Sequence, residues 1–68
     1  MNTERLVAMA NDIAAFFSAE PDKDAAAEQV ANHLRRFWAP TMRAEISAHA
    51  RTGGAGLTEL AKLGVAKL

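Results

Sequence analysis

The sequence contains no cysteine, only two prolines, one tryptophan, and no excess of either charge. Without cysteine there are no disulfides, no thiolate metal sites and no iron–sulfur ligation by this chain. Two histidines are too few for a structural zinc site without carboxylate help. Eight basic and eight acidic residues cancel to a formal net charge of zero. Nucleic-acid binders usually carry a basic excess that neutralises phosphates, so no nucleic-acid partner is expected. No apolar run approaches the ~18 residues that suggest a membrane span, so no membrane is expected either. The first segment, MNTERLVAMANDIAAFF, carries Glu4 and Asp12 and lacks the basic start of a signal peptide. These absences point to the cytoplasm. A chain of 68 residues has room for one domain, 1–68. A domain this small buries only about 60% of its unfolded surface and is marginal alone. Small domains are usually stapled by disulfides, a metal or a partner, and here the partner is what remains.

Alanine, leucine and charged residues dominate, and β-branched residues are sparse, which favours helix throughout. The expected fold class is all-α. It is a small orthogonal or up-down bundle of three core helices plus a weaker C-terminal helix, at about 3–18, 23–38, 40–52 and 58–67. Asn2 or Thr3 caps the first helix, and Leu6, Ala10, Ile13 and Phe17 share its apolar face. Met9, Phe16, Val7 and Ala14 widen that face, while Glu4, Asn11 and Ser18 lie opposite. Pro21 ends this segment. Asp22 caps the second helix, whose stripe runs Ala26, Ala27, Val30, Leu34 and Phe37. Trp38 and Ala31 border it on one side and His33 on the other; Glu28, Asn32 and Arg35 face away. Pro40 opens the third helix with Ala39 as a poor N-cap. Met42, Ile46, His49 and Ala50 share its face, and Gly53-Gly54 stop it. The fourth segment, capped by Thr58, carries a loose stripe of Leu57, Leu60, Ala61, Gly64 and Leu68. Leu63 and Val65 fall elsewhere on its wheel. It is expected to fray or to dock on something else.

Chemistry is thinly represented. His33 and His49 border apolar stripes, where each ring is expected to pack and to hydrogen-bond one nitrogen nearby. Glu45 and His49 stand at i, i+4, a spacing that also suits two metal ligands or a surface ion pair. Ser18, Ser47, Thr41 and Thr58 have no general base nearby in sequence. The GGAG run at 53–56 is neither GxGxxG nor a P-loop. Three or four short helices leave no deep pocket, so no independent enzyme is expected. The stretch HLRRFWAPTMR, His33 to Arg43, gathers three arginines around Phe37 and Trp38. The wheel assigns Phe37 to the core and leaves Trp38 exposed. Arg36, Trp38, Met42 and Arg43, with His33 at the edge, then form a docking patch of interface-type residues.

MANDIAAFF at Met9–Phe17, HLRRFWAPTMR at His33–Arg43 and AHARTGGAGL at Ala48–Leu57 together resemble the delta subunit of the cytoplasmic NAD-dependent formate dehydrogenase. The resemblance covers Leu6 to Leu68 and rests on the order and spacing of these motifs. It implies a non-catalytic accessory subunit. The implied partner is the catalytic alpha subunit, within a complex that also holds beta and gamma subunits. The cofactors implied belong to the assembly: bis-molybdopterin guanine dinucleotide with molybdenum or tungsten, iron–sulfur clusters and FMN, with NAD as the acceptor of formate's electrons. None is implied for this chain. The implied role is assembly or stability of the alpha subunit with its cofactor. His33, Phe37, Trp38, Pro40, Met42 and Arg43 sit on the family motif. The family pattern also carries Asp before the proline and Arg after it; here those positions are Ala39 and Thr41. The expected partner-binding residues are His33, Arg36, Trp38, Pro40, Met42 and Arg43. Trp38→Ala is then expected to weaken assembly and to spare the helices. Two other readings stay open: a small homo-oligomeric helical interaction protein that self-associates when isolated, and, less favoured, a helix-turn-helix-like DNA-binding domain.

Overall fold

Each helix begins where a side chain or a proline relieves its unpaired N–H groups. A computed structural model describes residues 2–68 and contains α1 (Thr3–Phe17), α2 (Lys23–Phe37), α3 (Pro40–Arg51) and α4 (Glu59–Ala66). The fold is all-α, a bundle of four helices. Asn2 accepts the Arg5 N–H at 3.1 Å, and Asp22 accepts those of Asp24 and Ala25. Thr58 accepts the Ala61 N–H at 3.3 Å. Ala39 offers α3 no side-chain cap, and Pro40 supplies the first helical residue instead. α3 stops in a Schellman turn. The Gly53 N–H bonds to the Ala50 carbonyl and the Gly54 N–H to that of His49. Gly53 and Gly54 take φ of +113° and +62°, values open to glycine and strained for other residues.

The core joins all four helices. Leu6, Ala10 and Ala14 of α1 meet Val30 and Leu34 of α2, Ile46 of α3, and Leu57, Ala61 and Val65 around α4. Leu6, Leu34, Ile46 and Val30 are its largest fully buried side chains, each contributing about 1.5–3 kcal/mol by burial.

Three expectations change here. α4 neither frays nor looks elsewhere: its pairing with α2 is the most extensive in the bundle. Small residues make this possible. Ala26, Ala27 and Ala31 of α2 and Ala61 and Gly64 of α4 are buried. A Cβ on Gly64 would stand 2.4 Å from Val30 Cγ1, so the crossing is closed to any larger residue without movement. Val65, placed off the stripe by the wheel, is also buried, while Leu68 is exposed. Second, Asn11 does not face solvent alone. Its Nδ2 donates to the Gly56 carbonyl and its Oδ1 accepts the Thr58 N–H, both at 2.9 Å. Third, Arg35 does not simply face away. Its Nη2 donates to the Lys67 carbonyl at 2.8 Å, and Lys67 Nζ lies 3.0 Å from Asp24. Polar side chains thus tie α4 to α1 and to α2 at its two ends.

The largest correction concerns Phe37 and Trp38. Trp38 is 6% exposed and joins the core; Phe37 is 66% exposed. The buried line on α2 follows the i, i+4 ridge Val30, Leu34, Trp38. It leans toward Ala31 because α4 packs on that side. Trp38 also lies past the last helical residue, with φ −90° and ψ 142°, so a helical wheel no longer fixes its direction. Phe16 is displaced likewise, at 80% exposed, because the buried centre of α1 runs through Ala10 and Ala14.

Candidate docking site

The C-terminal halves of α1 and α2 bring four rings into one row. Phe16 and Phe17 meet edge to face, with centroids 5.0 Å apart. Phe17 stands 6.3 Å from the His33 ring, and His33 stands 4.7 Å from Phe37. Arg36 Cζ lies 5.7 Å from the centre of the Phe37 ring. All these separations fall in the range of favourable aromatic and cation–π contacts. Phe16 and Phe37 at either end of the row remain largely in water. Leaving a phenyl ring exposed forgoes about 1.5–3 kcal/mol of burial. Two such rings joined through Phe17 and His33 make a continuous apolar face edged by one cation.

The expected partner-binding residues divide between this face and the corner behind it. His33 and Arg36 belong to the face. Trp38 lies inside. Arg43 turns inward as well: its Nη1 donates to the carbonyls of Trp38, at 2.6 Å, and Arg35, at 3.2 Å. It therefore satisfies acceptors left free at the end of α2. Met42 is half-buried against the core, and Pro40 is exposed at the turn. The six residues form no single surface. The sequence hides the exposure of Phe16, because Phe17 and Met9 beside it place its ring on the apolar face of the wheel. Two adjacent phenylalanines on one helix were a signal, since both could not point at the same core.

The remaining polar candidates have structural partners. Glu45 accepts the Thr3 hydroxyl, and His49 Nε2 lies 2.8 Å from the Ala55 carbonyl, to which it can donate. These bonds tie α3 to the start of α1 and to the glycine loop. Among the described residues, no three His, Asp or Glu side chains stand where they could hold a metal. The Lys67 ammonium is held above its ordinary value. Its hydrogen bond to Asp24, then the charge of Asp24, raise its pKa above 10.5.

This arrangement offers a partner an apolar face edged by one cation. The family model described as "NADH-dependant formate dehydrogenase delta subunit FdsD" matches residues 5–65. No curated protein and no solved structure matches the chain.

Proposed function

This chain belongs to the formate dehydrogenase delta-subunit family, and from that premise we propose that it docks on the catalytic alpha subunit through its exposed aromatic face. The family assigns it a non-catalytic accessory role. In the proposed complex, which also holds beta and gamma subunits, it supports assembly or stability of the alpha subunit with its bis-molybdopterin guanine dinucleotide. Phe16, Phe37, His33 and Arg36 make the contact. Trp38, Pro40, Met42 and Arg43 act from behind by fixing the corner that presents Phe37. The observation that carries this reading is the row of Phe16, Phe17, His33 and Phe37 at one end of the bundle, with Phe16 and Phe37 exposed. Aromatic and arginine anchors of this kind dominate protein interfaces.

The chain's own donors do not fit the assembly's redox groups. It has no cysteine for iron–sulfur clusters, and its described residues hold no metal-ligating group of three. The proposal assigns the molybdopterin, FMN and clusters to the other subunits. A cytoplasmic location is part of the proposal; no helix of the described residues is long and apolar enough to cross a membrane. The DNA-binding reading gains no support from α3, whose two arginines are Arg43 and Arg51. Arg43 is engaged by backbone carbonyls.

Co-purification with a tagged alpha subunit tests the proposal. The variant Phe16→Ser/Phe37→Ser should fold with normal helicity and bind at least tenfold more weakly, a loss of about 1.4 kcal/mol or more. Molybdopterin recovered with the alpha subunit should fall in parallel. Undiminished binding by the folded double variant would exclude this face.

A further inference from the structure

The aromatic face also carries the means to pair with itself, and we propose that two copies of the free chain form a two-fold symmetric dimer through it. Phe17 and His33 make a ridge with a shallow cleft on either side. The α1 cleft is lined by Asp12, Ile13 and Phe16 together with the ridge. The α2 cleft is lined by Gln29, Asn32, Arg36 and Phe37 with the same ridge. One cleft holds a single acidic group, Asp12, and the other a single basic group, Arg36. Among the described residues neither enters an ion pair, since those formed involve Arg35, Lys67, Asp24 and Glu28.

A two-fold axis through the ridge lays each copy's α1 cleft over the other's α2 cleft. Asp12 then meets Arg36 of the second copy twice, once on each side of the axis. Phe16 enters the opposite cleft beside Arg36, a favourable cation–π position. Such an isologous contact needs a self-complementary patch, and unlike charges on opposite sides of an apolar ridge are one. A net charge of zero gives the two copies no overall repulsion. Size sets the strength. A standard interface takes ~800 Å² from each partner, about a fifth of this chain's 4170 Å². The face has only two exposed phenylalanines and Arg36 as anchors, so we expect a weak dimer, with Kd in the range of roughly 10–100 μM. Dimerisation keeps the phenylalanines out of water until a larger partner takes the same face.

Light scattering and sedimentation of the full chain in low salt test this inference. Across roughly 1–500 μM the apparent mass should rise from the 7.3 kDa monomer toward twice that value. Asp12→Arg and Arg36→Asp should each weaken dimerisation at least tenfold, because each sets like charges together. An equimolar mixture of the two variants should recover it, since every contact across that pair again opposes unlike charges. Phe37→Ser should leave a helical monomer. A wild-type chain that stays monomeric throughout overturns the inference. So do charge variants that dimerise like the wild type, or a mixture no tighter than either variant alone. These outcomes are read without the alpha subunit, so a failed dimer leaves the docking proposal standing and failed co-purification leaves the dimer standing.

Discussion

At Trp38 the backbone has left α2, and the indole turns back into the bundle. Its neighbour Phe37 touches His33, lies beside the Arg36 guanidinium and is otherwise largely in water. Replacing the two therefore has opposite consequences. Trp38→Ala should cost about 3–5 kcal/mol. A chain of this length has only about 3–10 kcal/mol in total. Urea denaturation of Trp38→Ala should show a chain stripped of about a third to all of its stability, and Phe37→Ala should shift the curve by less than about 1 kcal/mol. A loss of assembly in Trp38→Ala would thus report a lost fold, not a lost contact. Gly64 offers a second test at this scale. Alanine there gains about 1 kcal/mol of helix propensity. Its methyl, however, would enter the space of Val30, a β-branched side chain with 0% exposure and little freedom to move. Overpacking costs about 1–3 kcal/mol, so Gly64→Ala should be destabilising on balance. Combining it with Val30→Ala should recover part of the loss, giving a coupling energy of at least about 0.5 kcal/mol in a double-mutant cycle.

The helices themselves were legible because punctuation marks them: Asn2, Asp22, Pro40, Thr58 and the glycines after α3 all act where simple chemistry puts them. The choice between Phe37 and Trp38 was not legible. Phe37 falls on the stripe and Trp38 only at its border, and the deciding factor is which flank α4 covers. That flank is chosen by Ala27, Ala31 and Gly64, whose small size shows in the sequence but whose pairing does not. Asn11 was equally hidden, since a polar residue on an outer face gives no sign that a distant loop will bring it a carbonyl and an N–H. α3 remains the element with an unfilled cap. Ala39→Asp keeps the extended φ of −65° and ψ of 152° and adds the missing acceptor, so it should stabilise by about 1 kcal/mol in thermal unfolding. The end of α4 rests on Lys67. Its pKa is raised in the fold, so its contribution is complete below the ordinary value of 10.5 and is lost as the pH rises through the raised one. Alkaline solution should loosen that end, added salt should weaken it, and Lys67→Met should remove the alkaline effect seen by circular dichroism.

Taken whole, the molecule measures 31 × 23 × 17 Å, with one core reached by every helix. No helix can detach without opening that core, so calorimetry should show a single transition. Its enthalpy should be about 45–50 kcal/mol near 60 °C for a chain of this length. At this scale the candidate site was half legible. His33 and Arg36 stand out by their chemistry and lie on the candidate face; Phe16 and Phe37 resemble core residues in every respect except their place in the bundle. The burial of Trp38 has one further consequence, which is optical. The chain has one tryptophan and no tyrosine, so its near-ultraviolet emission comes from a single indole sealed among aliphatic side chains. That emission should be blue-shifted in the native chain and move to the red on unfolding. The proposed docking face is built of phenylalanine and histidine, which are dark at those wavelengths. Tryptophan fluorescence should therefore follow folding and stay largely unchanged by occupation of the face. The wild-type protein carries its own means of separating a variant that cannot fold from one that cannot bind.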